Sequence, residues 1–339
     1  MTTLERTDTL HVAHAPVLPG LSFRRFRSEA DYPGMAAVLQ AANAADGTDE
    51  FISAEELAAD YERLANFDPQ HDLLLAEANG AIVAYSRVNW WGEDDGSRIY
   101  SLIGEVYPAW RRKGIGRAMF RQAERRAQEI AAAHPADAPR QLQSYAYDTQ
   151  LGARALLEQA GYQAVRHSFI MVRPNLDDLP NGLALPAGLE VRPARPEHFR
   201  AVWEAKEEAF RDHWGHRAAS EEKYQEWLSD PFFDPDWWQV AWEGEVPVGM
   251  VLTLVFPEEN ERLQRRRGYT ESIAVRRPWR KRGLARALLV RSLALLKERG
   301  FTEAALHVDS ENPSGALRLY ESVGFRAVQR ESVYRKSLS

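Results

Sequence analysis

The chain has 339 residues, of which 45% are hydrophobic and 27% charged, and its formal net charge is −6. Its length favours about two globular domains, its acidic balance argues against nucleic-acid binding, and its apolar runs fall short of the roughly 20 residues of a membrane span. The absence of cysteine excludes disulfides, thiolate zinc sites and a cysteine nucleophile. Residues 1–20 lack the apolar region of a secretory signal, so we expect a flexible leader on a cytoplasmic protein with no membrane and no nucleic-acid partner.

The first predicted elements are a strand, a helix and a hairpin. Apolar residues alternate through residues 21–26, which indicates a strand, and a helical pattern follows from about Asp31. Two apolar runs within residues 72–87 flank Asn79-Gly80, a dipeptide typical of a β-hairpin turn. The chain therefore begins as a mixture of helices and antiparallel strands.

A basic turn with small residues follows. Residues 111–116 read Arg-Arg-Lys-Gly-Ile-Gly, come after a strand that ends near Val106, and lead into a helical segment reaching about Ala133. Such a turn directs several backbone N–H groups and the positive end of a helix at one place, and glycine lets a ligand approach the main chain. We predict an anion site that includes Val106, Arg111, Gly114 and Gly116.

Similar sequence motifs recur later in the chain in the same order. The strand at residue 21 recurs at residue 189, the turn at Arg111 recurs at Arg280, and Gly161 recurs at Gly324. The displacements of 168, 169 and 163 positions are too regular for coincidence and indicate a duplicated domain. Each copy predicts a strand, helices, three or four antiparallel strands, the basic turn, a helix, a strand, a helix and a strand.

This order predicts an α+β fold, with a mixed, mostly antiparallel, twisted sheet flanked by helices in each copy. Residues 174–188 are rich in Pro, Asn, Asp and Gly and indicate a linker. We therefore predict domains over residues 21–173 and 189–339.

The basic turn of the second copy opens a long helix. Residues 280–285 read Arg-Lys-Arg-Gly-Leu-Ala and follow the apolar run at residues 273–275. A leucine-rich helical face follows and is expected to stop at Gly300. A strand, a small-residue basic turn and a helix start favour phosphate as the ligand.

Together these residues resemble the GNAT (Gcn5-related N-acetyltransferase) family, here as a tandem protein whose resemblance covers nearly the whole chain. The resemblance rests on residues 271–275, on the match of residues 280–285 to the family's Arg/Gln-x-x-Gly-x-Gly/Ala, and on Asn312-Pro313 followed by Ala316, Leu319-Tyr320 and Gly324-Phe325. It implies an N-acetyltransferase with acetyl-CoA as co-substrate and no metal. The turn would hold the pyrophosphate, and the edge of the fourth strand, opened by a bulge, would pair with the pantetheine arm. The implied cofactor-binding residues are Ile273, Ala274, Val275, Arg280, Lys281, Arg282, Gly283, Leu284, Ala285, Arg286 and Asn312.

Two residues match the family's proton-handling positions. An alkylammonium has a pKa near 10.4, so it must lose a proton before it can attack, and Glu271 matches the carboxylate that would remove it. Tyr320 matches the phenol that would protonate the departing thiolate. With Asn312 predicted as the helix N-cap, Tyr320 shares a face with Ala316 and Val323. The alternatives are a surface glutamate and a packing tyrosine.

The first copy lacks both groups by simple counting. Leu102 falls at the position of Glu271, Leu157 at that of Tyr320, and Gly104 at that of Ile273. We therefore expect catalysis in the second domain and a degenerate first domain, unless Glu105 and Tyr147 restore chemistry there by another geometry.

The acceptor is expected near the segment after the first helix of the second copy. Asp212, His213 and Trp214 suggest a polar, aromatic wall, with packing by Trp214 as the alternative. His213 and His216 are too few for a metal site. The predicted function is direct acetyl transfer to a primary amine of a small molecule by a monomer or homodimer. The alternatives are a non-catalytic acyl-CoA-binding module and a peptide or protein N-acetyltransferase.

Overall fold

The computed structural model describes residues 9–48, 50–180, 184–312 and 315–338. The chain divides into two compact units, and each unit contains a short segment that belongs to the other copy of the sequence repeat. Unit 1 comprises Met1–Val165 and Ser332–Ser339, and unit 2 comprises Arg166–Glu331. These units differ from the predicted domains at residues 166–173 and 332–339, while the domain boundaries themselves stay a prediction.

Unit 1 contains the first copy of the predicted order. Its elements are β1 (Leu21–Arg25), α1 (Tyr32–Asp46), α2 (Ala54–Glu62), α3 (Pro69–Asp72), β2 (Leu73–Ala78), β3 (Ala81–Gly92), β4 (Arg98–Val106), α4 (Ile115–Ala132), β5 (Arg140–Tyr147) and α5 (Leu151–Gln159). The sheet order is β1-β2-β3-β4-β5, antiparallel except for the parallel pair β4–β5.

Local sequence explains several of these elements. Ser53 and Glu56 form a capping box at the start of α2, in which Ser53 Oγ accepts the Glu56 N–H at 3.1 Å and Glu56 Oε2 accepts the Ser53 N–H at 2.8 Å. Asn79 and Gly80 have φ values of 51° and 82°, as a two-residue hairpin turn requires. The predicted hairpin is therefore confirmed.

Unit 2 repeats this arrangement. Its elements are β6 (Gln163–Arg173, from Arg166 onward), β7 (Glu190–Val191), α6 (Phe199–Phe210), α7 (Glu221–Leu228), β8 (Gln239–Glu243), β9 (Val246–Val255), α8 (Pro257–Arg262), β10 (Arg267–Val275), α9 (Leu284–Glu298), β11 (Glu303–Asp309), α10 (Ala316–Ser322) and β12 (Arg326–Ser337, to Glu331). The order is β7-β8-β9-β10-β11-β6, with β10–β11 the parallel pair. β7 is shorter than the predicted strand, because Pro193 has no N–H with which to extend the ladder.

Helices cover both faces of the unit 2 sheet. Leu289, Leu293 and Leu296 of α9 are fully buried against β11 residues such as Leu306 on one face. The opposite face packs Leu252 of β9 against α6. Each leucine buried in this way contributes about 1.5–3 kcal/mol. The α+β fold predicted for both copies is confirmed.

The described part of the leader packs against unit 1. The Leu10 N–H donates to the Phe23 carbonyl at 2.7 Å, and Val12 is buried beside Ile115. Residues 1–8 of the predicted flexible leader lie outside the described residues. In the predicted linker, Leu176 is buried in the core of unit 2.

Candidate active site

The basic turn of unit 2 has the backbone of an anion site. Lys281 and Gly283 adopt left-handed φ values of 60° and 81°, and α9 begins at Leu284. The first N–H groups of a helix have no intrahelical partner and carry partial positive charge. No atom lies within 4 Å of a Cβ added at Gly283, so the main chain is open to a ligand there. These features fit the pyrophosphate of acetyl-CoA.

The side chains around this turn divide into two groups. Lys281 and Arg282 are exposed beside it. Arg280 donates from Nε to the Val275 carbonyl at 2.9 Å and from a terminal nitrogen to the Ala209 carbonyl at 3.0 Å. Arg286 donates to Ser322 Oγ at 2.7 Å. Arg280 and Arg286 therefore hold the turn in place, and phosphate contacts would come from the main chain and the exposed cations.

A β-bulge interrupts the strand that leads to this turn. The register of β10 against β9 shifts between Glu271 and Ala274, and Ser272 has a φ of 46°. The bulge turns Ala274 towards α6 and leaves Ile273 and Val275 packed near α9. A bulge of this kind separates backbone groups from the ladder, as pairing with an extended ligand requires.

The parallel strands β10 and β11 separate close to the bulge. They pair from Arg267 to Tyr269, and the gap that follows is spanned by the Glu271 side chain. Glu271 Oε1 accepts the His307 backbone N–H at 3.2 Å and lies 3.1 Å from His307 Nδ1. The predicted base therefore lies at the point where the sheet opens.

Tyr320 lies on the helix that packs beside this opening. It shares a buried face with Ala316 and Val323, as predicted, and its ring packs 6.4 Å from that of Phe325. Burial raises the pKa of the Tyr320 phenol, and the nearby Glu271 charge raises it further. The Tyr320 phenol is therefore protonated at neutral pH.

The N-cap predicted for this helix is wrong. Helix α10 begins at Ala316, and the residue before it is Gly315 with a φ of 73°. Asn312 instead lies in the preceding turn, where its carbonyl accepts the Gly315 N–H at 3.3 Å. Pro313, predicted at the first helical position, lies outside the described residues.

Polar groups that the sequence did not single out lie on the same face as Glu271 and His307. Asp309 follows His307 along β11 and pairs with Arg166 at 2.6 Å. Arg166 also pairs with Glu311 at 2.7 Å and lies 5.8 Å from the Trp214 ring. The alternation of Ala305, His307 and Asp309 in a buried strand was the available signal for this face.

The predicted acceptor residues divide between two places. Trp214 lies beside Arg166. Burial lowers the pKa of His213; the charge of Asp309 opposes this change and that of Arg280 adds to it. Asp212 instead pairs with Arg277 next to the basic turn at 2.5 Å. The structure therefore brings Trp214 close to Arg166 and His213 into the range of the Asp309 charge, whereas Asp212 lies beside the turn.

Unit 1 keeps the turn and lacks the bulge. Arg112 and Gly114 have φ values of 63° and 89°, close to those in unit 2, and Pro16 lies 3.7 Å from a Cβ added at Gly114. The β3–β4 ladder runs in register from Gly92–Arg98 to Ala84–Val106 without a bulge. A Cβ added at Gly104 would lie 2.6 Å from the Tyr85 carbonyl oxygen, which shows how closely the two strands approach.

Because β4 has no bulge, the residue of unit 1 that corresponds to Glu271 differs by one position from the residue predicted by counting along the sequence. Glu271 pairs with Leu252 of β9, and the corresponding residue of β3 is Arg87, which pairs with Ile103. Ile103 therefore occupies the place of Glu271, and the assignment of Leu102 was wrong by the one residue that the bulge adds. Leu157, the counterpart of Tyr320, is buried in the core.

The two other groups considered for unit 1 have different partners. Tyr147 donates its hydroxyl to Glu50 Oε1 at 2.8 Å, whereas Glu105 lies 3.8 Å from Arg111. Arg111 Nε donates to the Val106 carbonyl at 3.0 Å, and a Cβ added at Gly116 would lie 3.4 Å from Val106 Cγ2.

Among the described residues, no group of three or more His, Asp or Glu side chains could hold a metal ion. In the same parts of the chain, no helix is long and apolar enough to cross a membrane.

Comparisons with known proteins agree with this geometry. Residues 199–325 match the acetyltransferase (GNAT) family model, and residues 69–164 match an acetyltransferase (GNAT) domain model. The mycothiol acetyltransferase of Geodermatophilus obscurus is 31% identical over 303 residues, which cover 87% of this chain and 92% of that protein.

Solved structures show the same architecture. A GCN5-related N-acetyltransferase from Sphaerobacter thermophilus has a TM-score of 0.72 at 31% identity and covers 95% of this chain and 97% of its own. A tandem GNAT protein from the clavulanic acid biosynthesis pathway has a TM-score of 0.64 at 17% identity, with 94% and 98% covered. The chain therefore belongs to the GNAT family of acetyltransferases and is an N-acetyltransferase with two GNAT domains in tandem.

Proposed function

We propose that acetyl transfer takes place in unit 2, from acetyl-CoA directly to a primary amine of a small molecule. One observation carries the proposal: unit 2 places Glu271 and Tyr320 around the opening behind the bulge of β10, where unit 1 has Ile103 and Leu157. Family members use acetyl-CoA, and the main chain of residues 281–286 supplies a place for its phosphates.

The residues of unit 2 suit each step of this reaction. Glu271 takes a proton from the ammonium, directly or through water, so that the nitrogen lone pair can attack the thioester carbonyl. A backbone N–H of β10 stabilises the charge that develops on the carbonyl oxygen. As the carbon–sulfur bond breaks, the Tyr320 hydroxyl gives its proton to the leaving sulfur. The acetyl group moves to nitrogen, the second proton that nitrogen loses restores the Tyr320 phenol directly or through water, and CoA leaves as a thiol.

The acceptor is proposed to resemble that of the mycothiol acetyltransferases, since the similarity to them spans most of the chain. His213, Trp214 and the Arg166–Asp309 pair would contact it. Thiol release from acetyl-CoA should be measured with that acceptor, other small amines and amino-terminal peptides. Turnover with peptides alone would favour a protein N-acetyltransferase, and CoA binding without turnover of any amine would favour a non-catalytic module.

Variants of the two units decide where the chemistry occurs. Tyr320→Phe removes the proposed acid with little change in volume and should lower kcat roughly 10²-fold or more. Gly283→Glu should block acetyl-CoA in unit 2 and abolish turnover, whereas Gly114→Glu, its match in unit 1, should leave kcat within about threefold. Circular dichroism would establish that each variant is folded.

The opposite pattern would move catalysis to unit 1. In that case Tyr320→Phe would keep full turnover while a folded Gly114→Glu protein lost it.

A further inference from the structure

His307 is the side chain that meets the proposed base, and the reaction as described gives it no role. It lies on β11, with its Nδ1 3.1 Å from Glu271 Oε1. Its side chain is 47% exposed, so packing does not explain its position. The neighbouring residues of β11, Leu306 and Val308, point to the opposite face and are buried in the core.

The two contacts between His307 and Glu271 end on the same carboxylate oxygen. The backbone N–H, which has left the β10 ladder, donates to Oε1 at 3.2 Å, and the ring meets Oε1 from the side. An Nδ1–H tautomer donates to this oxygen. The second oxygen, Oε2, is then the one available to an incoming amine or to a water molecule.

The hydrogen bond from the His307 N–H to Glu271 takes the place of a backbone hydrogen bond between β10 and β11. Beyond Tyr269–Ala305, β10 and β11 no longer pair, so the Glu271 carboxylate spans the gap between them. A backbone N–H alone leaves the carboxylate free to rotate about its last torsion, because one hydrogen bond does not set its plane. The imidazole adds a second donor from another direction and restricts that rotation.

The corresponding strands of unit 1 carry other residues in place of Glu271 and His307. Ile103 replaces Glu271, and the residue of β5 that corresponds to His307 is Tyr145, whose hydroxyl lies 2.5 Å from Gln143 Nε2. The carboxylate and the imidazole are therefore both present in unit 2 and both absent from the corresponding places in unit 1.

We propose that His307 is a positioning residue for Glu271: the ring holds Oε1 so that Oε2 faces the acceptor nitrogen. The proposal rests on the assignment of Glu271 as the base in unit 2. Other ionisable groups that face the pair are Tyr320 from α10, Asp309 on β11, Arg166 on β6, and His213 after α6.

A pair of variants isolates the ring nitrogen. His307→Leu keeps the backbone N–H and comparable volume and loses the side-chain donor, whereas His307→Asn places an amide N–H where Nδ1 lies. We expect His307→Leu to lower kcat about 10- to 100-fold without changing the KM for acetyl-CoA, and His307→Asn to restore most of it.

The pH profile gives a readout that a folding defect would not move. A hydrogen bond to the ionised carboxylate favours its charged form, so its loss should shift the acidic limb of kcat/KM to higher pH in His307→Leu. An unchanged kcat and acidic limb in His307→Leu would overturn the proposal. Equal defects in the Leu and Asn variants would overturn it as well.

A measurement without turnover separates this inference from the assignment of the base. In ¹⁵N NMR spectra, the His307 signals are identified by their loss in His307→Asn. The Glu271 carboxylate should stabilise the imidazolium, so Glu271→Gln should lower the pKa of His307. Identical titration of His307 in both proteins would contradict the pairing. Full turnover by Glu271→Gln, with this pKa change present, would reject Glu271 as the base and with it the positioning role.

Discussion

Glu105 shows how single residues distinguish the two units. Its carboxyl group lies on β4 beside Arg111, but Asp46 already holds that guanidinium at 2.5 and 2.9 Å. Burial raises the pKa of Glu105 to about 7, and the Asp46 charge adds to the shift while Arg111 opposes it. Glu271 in unit 2 instead accepts the backbone N–H of His307 and lies 3.1 Å from its ring nitrogen Nδ1. Carboxylates on corresponding strands therefore meet different surroundings.

The raised pKa of Glu105 predicts a pH-dependent stability. The unfolded carboxyl has a pKa near 4.5, so between pH 4.5 and about 7 it loses its proton in the unfolded state before the folded state does. The free energy of unfolding should fall through this range and level off above it. Glu105→Gln removes the effect and should stabilise the protein by roughly 1–3 kcal/mol at pH 8 and by almost nothing at pH 4.5.

Urea unfolding followed by circular dichroism at both pH values measures this difference. Glu158→Gln, an exposed change on α5, is the control and should show no pH-dependent gain. A gain from Glu105→Gln that is the same at pH 4.5 and pH 8 would contradict the proposed burial of the charge.

At the scale of elements, the bulge in β10 is a structural difference between the two GNAT units. Both units place a parallel strand beside the fourth strand and follow it with the same basic turn. The extra residue at Ser272 changes which side chains of β10 face α6, and the β3–β4 ladder has no counterpart to it. One residue in a ladder therefore changes which side chains the fourth strand presents to the helices on each face of the sheet.

Substitutions at Ser272 test whether its backbone conformation holds the bulge. A left-handed φ costs a β-branched residue roughly 1–2 kcal/mol and costs glycine almost nothing. Ser272→Val should therefore lower Tm by several degrees and weaken acetyl-CoA binding, while Ser272→Gly should keep Tm or raise it slightly. Calorimetry and isothermal titration with acetyl-CoA measure both effects. Equal Tm values for the two variants would show that the bulge does not depend on this torsion.

At the scale of the molecule, each unit draws a segment from beyond its own copy of the repeat. Unit 1 includes the end of β12, where Tyr334 lies in the core with Leu142 and Tyr162. Arg335 there is buried, donates from Nε to Gln143 at 2.6 Å and pairs with Glu93 at 2.5 Å. Unit 2 includes β6, which pairs with β11 from Ser168 to Arg173. Each unit therefore combines residues from both copies of the duplicated sequence.

The C-terminal segment should stabilise unit 1. Arg335→Met leaves Glu93 buried without its partner and should cost about 3–5 kcal/mol. Lys336→Met, which removes a more exposed pair with Glu124, should cost under about 1 kcal/mol. Hydrogen exchange of β5 should accelerate in the first variant and stay unchanged in the second. Equal protection of β5 in both would show that the segment does not support unit 1.

The sequence determined the duplication, the order of elements and the family. Regular spacing of similar segments revealed the repeat. The turns were predicted from glycine and asparagine, which adopt left-handed backbone conformations more readily than other residues, as at Asn79-Gly80 and Gly283. These features depend on neighbours in the chain, so pattern alone reveals them. Glu271 and Tyr320 came from resemblance, and their roles remain proposals.

The tertiary structure decided what depends on register and on distant contacts. It replaced Leu102 by Ile103 as the counterpart of Glu271, because a bulge adds one residue to a ladder without leaving a mark in the spacing of the turn. It placed Gly315 instead of Asn312 before α10. It brought His307 to Glu271 from 36 residues away and assigned the two ends of β6 and β12 to different units. Strand pairing joins residues remote in sequence, and its hydrogen bonds come from backbone groups that all residues except proline share, so local sequence patterns do not reveal which partners meet.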